Sequence, residues 1–421
     1  MRFVLASWGS RGDIEPCVAV GRELLGRGHD VCLAVPPDLV GFAESAGLAA
    51  VEYGPDARAI LDAHRTFWTR FFREPWRIQD LIRLRREVAE PVIHRWDEIC
   101  ATLTSLADGA DLLLTGLNFE QPAANVAEHY GIPLATLHVF PHRANGQFFP
   151  ILPARLGRSA MTVYERAAWR AAKNLEDPQR RELGLPTATD PLPQRIAERG
   201  WLEIQAYDEV CFPGLAGEWA QWDGQRPFVG ALALELPTDT DAEVASWIAA
   251  GTPPIFFGFG SISVQSPAAT LAMISAACTE LGERAMICSA GTDFGDVPHA
   301  DHVKIVGSVN YAEAFPACRA VVHHGGTGTT AASLRAGVPT LILSTDIDQT
   351  LWGSRIKRLK VGTARRLSTT TRESLVADLR TVLDPHYATR AREVASQMTK
   401  PAESVAAAAD LVEKFARVDP C

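Results

Sequence analysis

The sequence predicts an α/β protein made of two domains, each with a parallel β-sheet covered by helices on both faces. Three observations support this prediction. Short apolar runs alternate with helical patterns along the chain, which is typical of parallel sheets that are buried on both sides. The 421 residues exceed what one ordinary hydrophobic core organises. The alternation breaks once, near residues 222–230, and then starts again.

The first half contains four apolar runs of strand length and two segments with helical periodicity. The strands are predicted at 3–7, 31–35, 111–115 and 134–139. The helices are predicted at 14–27 and 122–130, and glycine stands at the end of each, as is common at helix C-termini. A polar and aromatic loop at 142–149 follows the last strand.

The second half repeats this alternation after a linker-like segment, Asp-Gly-Gln-Arg-Pro, at 223–227. Strands are predicted at 255–259, 285–289, 303–306, 320–322 and 340–343. Helices are predicted at 271–281 and, at the end of the chain, at 402–416. We therefore expect an amino-terminal domain at 1–222 and a carboxy-terminal domain at 223–421, whose last helix packs back on the first domain.

The composition is that of a soluble globular protein, with 47% hydrophobic residues and a net charge of −9. That net charge gives no long-range attraction to nucleic acid or to an anionic membrane. The eight cysteines have no metal-binding spacing, and they are expected to be reduced thiols. The first apolar run is too short for a signal peptide, and the sequence has no apolar segment of membrane-spanning length. We expect a cytoplasmic protein.

Residues 323–330 read His-His-Gly-Gly-Thr-Gly-Thr-Thr, between the apolar residues 320–322 and an alanine-rich stretch at 331–334. This order predicts a strand, a glycine turn and a helix. Glycines allow backbone N–H groups to approach an anion closely, and the helix N-terminus favours negative charge. By itself, the pattern fits a phosphate site or an ordinary turn.

Two aspartate motifs also have more than one interpretation. Asp13 follows the first strand in the segment Gly-Ser-Arg-Gly-Asp, where it could cap the next helix or act as a catalytic carboxylate. Residues 346–348 read Asp-Ile-Asp, a pattern that elsewhere holds a metal through paired carboxylates. We do not favour a metal here because the flanking pattern differs from that of such metal sites.

Three segments together resemble the family 1 inverting glycosyltransferases, which have the GT-B fold. They are 9–16, 323–330 and the Asp348-Gln349 pair followed by 351–353. The resemblance covers the whole chain, and it is strongest to bacterial enzymes acting on glycopeptide antibiotics, sterols and mycobacterial glycopeptidolipids. It implies two doubly wound Rossmann-like domains that face each other across a cleft.

The resemblance also implies a role for particular residues. Asp13 would be the base that deprotonates the acceptor hydroxyl. The donor would be a UDP- or dTDP-sugar, bound by Ser10, Arg11, Gly12, Ser261, Val309, His323, His324, Gly325, Gly326, Thr327, Gly328, Thr329, Asp348 and Gln349. The acceptor would contact Asn118, Trp68, Phe72 and His142. No metal and no further cofactor are expected, since His323 and the helix N-terminus would stabilise the leaving diphosphate.

Three departures from the family pattern limit these assignments. Residues 117–120 read Leu-Asn-Phe-Glu, without the aspartate that orients a histidine base in other members. A carboxylate base needs no such partner. Residues 307–310 lack the tryptophan that stacks on uracil in plant members, so the nucleobase is expected to contact backbone there. Thr330-Ala331 replaces a ribose-binding glutamate, and UDP and dTDP both remain possible.

Residues 64–95 contain eight arginines and four acidic residues interleaved with aromatic side chains. The aromatic residues recur at helical spacing, as in Phe67 and Phe71. One interpretation is an amphipathic helix packed on its own domain. The other is a flap that admits a hydrophobic acceptor or contacts the anionic surface of the membrane at its inner face.

The implied reaction is transfer of a hexose or deoxyhexose to a hydroxyl of a hydrophobic acceptor, a glycopeptidolipid or a related lipid or natural product. Three alternatives stay open: a nucleotide-sugar epimerase of GT-B fold, a macrolide- or sterol-type glycosyltransferase, and a nucleotide-binding module without catalysis. No nucleic-acid partner is expected.

Overall fold

The computed structural model describes residues 1–74, 76–149, 152–260, 264, 266–294, 297 and 299–417. The side chains of residues 59, 61, 62, 65, 72 and 73 lie outside this description. The described residues form two six-stranded parallel sheets, each surrounded by helices.

The first sheet has the strand order β3-β2-β1-β4-β5-β6. Its strands are β1 (Arg2–Ala6), β2 (Asp30–Val35), β3 (Ala49–Glu52), β4 (Leu112–Thr115), β5 (Leu134–His138) and β6 (Leu202–Gln205). The helices along this part of the chain are α1 (Arg11–Gly26), α2 (Val40–Ser45), α3 (Ala57–Arg73), α4 (Ile78–His94), α5 (Trp96–Ala107), α6 (Glu120–Tyr130), α7 (Ala154–Glu182), α8 (Leu192–Glu198) and α9 (Leu215–Glu218). In the sheet centre Val4 pairs with Cys32 on one side and with Leu113 on the other.

The second sheet has the same kind of order, β12-β11-β10-β7-β8-β9. Its strands are β7 (Ile255–Gly258), β8 (Ala285–Cys288), β9 (Val303–Val306), β10 (Ala320–His323), β11 (Thr340–Ser344) and β12 (Gly362–Arg366). Its helices, and the last helix of the chain, are α10 (Asp241–Ala249), α11 (Pro267–Leu281), α12 (Tyr311–Ala314), α13 (Thr327–Arg335), α14 (Ile347–Leu359), α15 (Arg372–Val382), α16 (Pro385–Ala395) and α17 (Pro401–Ala416).

The chain divides into two compact units, and both are discontinuous in sequence. Unit 1 contains residues 1–60, 86–234 and 399–421, and unit 2 contains residues 61–85 and 235–398. Helix α17 therefore belongs to unit 1, where Ala408, Ala409 and Val412 join the hydrophobic core of the first sheet. Residues 225–229 also belong to unit 1, because their backbone pairs with the edge strand β6.

Each sheet has a point at which the strand order reverses. In the first sheet it lies between β1 and β4, and in the second between β10 and β7. In open α/β sheets of this kind, ligands bind beyond the carboxyl ends of the strands at that reversal. Asp13 lies in the first turn of α1, directly after the loop that follows β1, and the glycine-rich turn follows β10, so both candidate motifs follow such strands.

The predicted fold class is confirmed, since both halves are parallel α/β sheets. The sequence did not predict the strands β3, β6 and β12 or the long helix α7. The basic and aromatic segment forms two helices, α3 and α4, where a single amphipathic helix was one interpretation. None of the described helices is long and apolar enough to cross a lipid bilayer.

Candidate active site

Asp13 stands in the first turn of α1 and closes a capping box. Ser10 is the N-cap residue, and its backbone N–H and its hydroxyl both donate to Oδ2 of Asp13 at 2.8 Å. The backbone N–H of Asp13 in turn bonds the carbonyl of Ser10 at 2.9 Å. Gly9 has a φ of +140°, and a Cβ there would lie 2.5 Å from Oδ2. The turn therefore needs glycine to let the carboxyl group fold back against the backbone.

The environment of Asp13 suits a proton acceptor. Its pKa is raised by burial, although the hydrogen bonds from Ser10 lower it in part. A carboxyl group with a raised pKa is a stronger base than an exposed aspartate. Capping and basicity are compatible here, because the two bonds from Ser10 use Oδ2 and leave Oδ1 as a second acceptor.

An aromatic cluster stands beside this turn, and no sequence pattern predicted it. Trp8 directly precedes Gly9, and its ring lies 5.2 Å from that of Phe119. Phe119 has a φ of 63°, and its ring also contacts Tyr53 and Trp96 edge-on. Positive φ at a bulky non-glycine residue is strained and concentrates at functional sites. The only sequence signal was that Trp8 and Phe119 each follow a predicted strand.

Asn118 holds the two loops of this region together. Its Nδ2 donates to the carbonyl of Trp8 at 2.8 Å, which ties the loop after β4 to the loop after β1. Arg11 and Gly12 are exposed on the same turn, and Arg11 pairs with Glu15 at 3.4 Å and covers the ring of Phe42. This pair occupies the Arg11 guanidinium at the edge of the turn, where the resemblance implies a contact with the donor.

Buried ion pairs hold the loop after β5, residues 140–149, in place. Arg143 is 3% exposed and pairs with both Glu120 and Glu203. Arg226 approaches the same Glu203 at 2.6 Å. Burial alone would raise the pKa of both carboxyl groups, but Arg143 lowers the pKa of Glu120, and Arg143 and Arg226 together lower that of Glu203. Glu120 therefore belongs to this network rather than to a free acceptor surface.

His142 lies in this loop and is neutral at physiological pH. Burial and the charge of Arg143 lower its pKa to about 3. Its ring stands 5.9 Å from the rings of His138 and Phe140. Neutral His142 offers one donor and one acceptor, as a residue that contacts a hydroxyl acceptor requires.

Within the described residues, Glu120, His138 and Glu203 place one ligand atom each within 4.8 Å of one another, a grouping that could hold a metal ion. The guanidinium of Arg143 contacts both of these carboxylates. It supplies the positive charge that an ion would otherwise bring, so the cluster is balanced by the protein itself.

In unit 2, His323 ends β10 and is fully buried. Its Nδ1 accepts the N–H of Gly325 at 3.0 Å. Burial, with a smaller effect of His324, lowers its pKa well below the usual value, so the ring is neutral. Since Nδ1 is an acceptor, the proton is on Nε2. Among the described residues that Nε2–H is buried without a hydrogen-bond partner, which marks it as a donor for a ligand.

His324 packs against two glycines. A Cβ on Gly260, whose φ is +63°, would lie 2.5 Å from the imidazole of His324, and one on Gly326 would lie 2.6 Å from it. Burial lowers the pKa of His324 to about 4, partly offset by a hydrogen bond with the Gly258 backbone. The ring thus links the loop after β7 to the glycine turn after β10.

Gly325 has a φ of +100°, and a Cβ there would meet Ile342 at 2.9 Å and the backbone of Gln349 at 3.1 Å. Oε1 of Gln349 accepts from the N–H and hydroxyl of Thr345 at 2.7 and 2.9 Å. The side chain of Asp346 caps α14 by accepting from the N–H of Gln349. Asp348 is half-buried in the first turn of that helix.

The glycine turn leads into α13, whose N-cap residue is Gly326. Thr327, Gly328 and Thr329 form the first turn, where backbone N–H groups have no partner inside the helix. Trp352, which is buried, donates from Nε1 to the hydroxyl of Thr327 at 2.9 Å. The turn therefore offers an array of oriented N–H donors beside His323, as anion sites at helix N-termini do.

The remaining predicted residues lie elsewhere. Val309 is buried in a hydrophobic cluster of unit 2 with Phe256 and Phe315. Trp68 belongs to unit 2, and its Nε1 bonds His64 at 2.9 Å, whereas Asn118 and His142 belong to unit 1. Ser261 and the side chain of Phe72 lie outside the described residues.

Comparison with known proteins gives the class. Residues 3–96 match the glycosyltransferase family 28 N-terminal domain, and residues 261–415 match the C-terminal domain of erythromycin biosynthesis protein CIII-like proteins. Among solved structures, the glycotransferase of kitacinnamycin has a TM-score of 0.72 at 17% identity, covering 98% of both chains. Glycosyltransferase VinC in complex with dTDP has a TM-score of 0.65 at 19% identity, covering 98% of this chain and 100% of that one. The fold and these loops define a GT-B glycosyltransferase.

Whole-chain relatives agree with this class. An uncharacterized glycosyltransferase of Mycobacterium tuberculosis is 60% identical over 420 residues, which is 99% of each chain. Glycosyltransferase GtfE of Amycolatopsis orientalis is 30% identical over 98% of this chain and 97% of its own. Vancomycin aglycone glucosyltransferase of the same organism is 30% identical over 97% and 96%. The chain belongs to this family of glycosyltransferases, and it is a transferase.

Proposed function

We propose that the protein is an inverting glycosyltransferase that moves a hexose or deoxyhexose from a UDP- or dTDP-sugar to a hydroxyl of a hydrophobic acceptor. Asp13 takes the proton of the acceptor hydroxyl, whose oxygen attacks the anomeric carbon. The bond from that carbon to the diphosphate breaks, and the nucleoside diphosphate leaves with both electrons. Asp13 and the glycine turn belong to different units, so the proposal assigns each unit one half of the reaction.

The observation that supports the donor half most strongly is the buried Nε2–H of His323 without a partner in the described structure. A neutral donor beside the first turn of α13 stabilises the charge that develops on the leaving diphosphate. Gly325 and Gly326 let the backbone approach the phosphates closely. Ser10, Arg11, Gly12 and Ser261 are proposed to contact the same anion, and no metal ion is required for this step.

The sugar half of the donor is assigned to Asp348 and Gln349. Because Oε1 of Gln349 already accepts two bonds from Thr345, its NH₂ group is the part that donates to a sugar hydroxyl. The carboxylate of Asp348 accepts from the sugar. The backbone near Val309 is proposed to meet the nucleobase, which suits uracil and thymine alike.

The acceptor half rests on the aromatic cluster next to Asp13. Trp8 and Phe119 present flat apolar surface beside the base, and Asn118 fixes their separation. His142 would contact the acceptor as a neutral donor or acceptor. A relative that is a vancomycin aglycone glucosyltransferase fits a large natural product as acceptor, and a glycopeptidolipid or related lipid is the class we favour.

We further propose that α3 and α4 meet the acceptor or the membrane that carries it, at the cytoplasmic face. Trp76 is 71% exposed and Ile78 63% exposed, and Arg77 lies between them in the sequence. Trp68 and Phe72 on the same segment would contact the acceptor. Such exposed apolar residues beside basic ones suit an amphiphilic acceptor.

The test is a donor and acceptor screen with purified protein. UDP- and dTDP-sugars are offered with and without lipid extracts and glycopeptide aglycones, and products are followed by mass spectrometry. The proposal expects a glycosylated product of inverted anomeric configuration that requires an acceptor. Epimerised donor formed without any acceptor would instead identify an epimerase. Tight nucleotide binding with no turnover of any donor would contradict transfer.

A further inference from the structure

The outer face of α7 has a composition that the reaction does not use. Helix α7 runs over 29 residues, and one side of it is buried against unit 1, with Gly157, Met161 and Glu176 among the buried positions. On the opposite side, Leu156, Val163 and Tyr164 are 59%, 67% and 66% exposed. Their spacing of seven and eight residues places them on one side of the helix. Large apolar side chains in such a row mark an interaction surface.

Arginines border this apolar row. Arg155, Arg166 and Arg170 are exposed, and no ion pair involving them occurs within the described part of the chain. Residues 152–173 contain five basic side chains and one acidic side chain, Glu165, although the whole chain carries a net charge of −9. Glu165 faces inward, where it accepts the backbone N–H of Ala144. The exposed charge of this face is therefore positive.

We propose that the outer face of α7, formed by Leu156, Val163 and Tyr164 with Arg155, Arg166 and Arg170, docks on the surface of an anionic lipid bilayer. The apolar row enters the boundary between headgroups and acyl chains, and the arginines contact lipid phosphates, as in helices that lie in the membrane plane. Tyrosine suits this boundary because its ring is apolar and its hydroxyl is polar.

A second copy of the chain fits this face less well. A two-fold contact places the same patch on both partners, which would bring the arginines of one copy against those of the other. An anionic bilayer offers opposite charge across the whole face. The binding itself needs neither donor nor acceptor, so it stands or falls independently of the proposed transfer reaction.

The experiment is co-sedimentation of the full-length protein with phosphatidylcholine vesicles that contain or lack phosphatidylglycerol, over a range of salt concentrations. The wild-type protein is expected to bind the anionic vesicles and to be released by salt. An arginine near an anionic surface is worth about fivefold in partitioning. Replacing all three, R155Q/R166Q/R170Q, should therefore weaken binding on the order of 100-fold.

The apolar variant L156S/V163S/Y164S should also lose vesicle binding, while its melting temperature stays near that of the wild type because the replaced side chains are exposed. The control R22Q/R358Q/R417Q removes the same charge from three other exposed arginines and should keep binding. Turnover of an acceptor in free solution should be unchanged in all three variants.

Equal vesicle binding by the wild type and both α7 variants would overturn the proposal, and so would failure of the wild type to bind anionic vesicles. A dimer in analytical ultracentrifugation that the apolar variant loses, with no vesicle binding by either protein, would assign the face to a second copy instead.

Discussion

Asp13 combines a raised pKa with a hydrogen-bonded position, and these two properties can be separated by Asp13→Asn. The amide oxygen still accepts from Ser10, but the side chain no longer takes a proton at neutral pH. If the proposal is right, turnover falls by about 10²–10⁴ while nucleotide affinity is kept. Steady-state kinetics and calorimetric binding of UDP or dTDP measure the two quantities, and unchanged turnover would remove Asp13 from the chemistry.

The same variant has a predictable effect on stability. The pKa of Asp13 in the folded state lies above its unfolded value of about 3.9. The folded protein therefore binds the proton more tightly, and ionisation of Asp13 destabilises it as the pH rises above that unfolded value. Asp13→Asn should be no less stable than the wild type at pH 7, with a difference that shrinks towards pH 4. Urea unfolding at both pH values tests this, and a variant that is much less stable at pH 7 would mean that capping dominates.

His323 differs from Asp13, because its protonation state does not change over the pH range in which the enzyme would be assayed. Its pKa is well below the ordinary histidine value, so the neutral ring with its proton on Nε2 is present throughout. His323→Ala should lower turnover by about 10²–10³, as loss of one oriented donor does. The pH profile should keep its shape, since His323 contributes no titration. A changed alkaline limb in the profile would contradict this assignment.

Gly325, in the glycine turn, and Gly328, in the first turn of α13, allow a matched pair of alanine substitutions. Gly325→Ala introduces a Cβ at positive φ against Ile342 and Gln349, which should cost about 1–3 kcal/mol and weaken nucleotide binding. Gly328→Ala meets nothing within 4 Å and lies inside α13, so it should raise stability by roughly 0.5–1 kcal/mol. Thermal unfolding of both variants checks the pair, and equal effects would show that the turn is not tightly packed.

The residues proposed for this site were easier to select from the sequence than the residues that surround them. Asp13 and residues 323–329 stood in recognisable segments after predicted strands. The ring contact between Trp8 and Phe119 could not be predicted, because it depends on β1 and β4 being adjacent in the sheet. The tautomer of His323 also depends on a three-dimensional contact, its bond with Gly325.

At the level of elements, the strands missed from the sequence have physical reasons for their weak patterns. The edge strands β3 and β12 are only partly buried and carry polar residues such as Glu52, Arg365 and Arg366. Strand β6 is fully buried but reads Leu-Glu-Ile-Gln. Glu203 is tolerated there because Arg143 and Arg226 neutralise it, a contact that no local pattern reveals.

The charged network around β6 should respond strongly to loss of one partner. Arg143→Ala leaves Glu120 and Glu203 buried without that countercharge, which should cost about 3–5 kcal/mol. The control is Arg158→Ala, which removes a half-exposed arginine paired with Glu218 and should cost less than about 1 kcal/mol. Chemical denaturation measures both. If both variants lose a similarly small amount of unfolding free energy, the network contributes little to the stability of loop 140–149.

At the level of the whole molecule, the last helix completes a unit that begins with the first strand. Helix α17 buries Ser404, Ala408, Ala409 and Val412, and Gly230 packs so closely that a Cβ there would lie 2.6 Å from Ser404. Arg27 pairs with Asp410 at 2.6 Å, and Asp208 accepts the N–H of Thr399. The first sheet therefore lacks part of the helical layer that packs on it until α17 has been synthesised.

This dependence predicts that one buried position in α17 controls the stability of unit 1. Val412→Asp places an unpaired carboxylate in the core and should cost several kcal/mol, because a buried charge without a partner is strongly unfavourable. Ala402→Asp introduces the same side chain at an exposed position in the first turn of α17, where a negative charge is neutral or favourable. Hydrogen exchange should show increased opening of β1 and α1 in the first variant and wild-type protection in the second. Unchanged protection of β1 in Val412→Asp would mean that unit 1 is stable without its terminal helix.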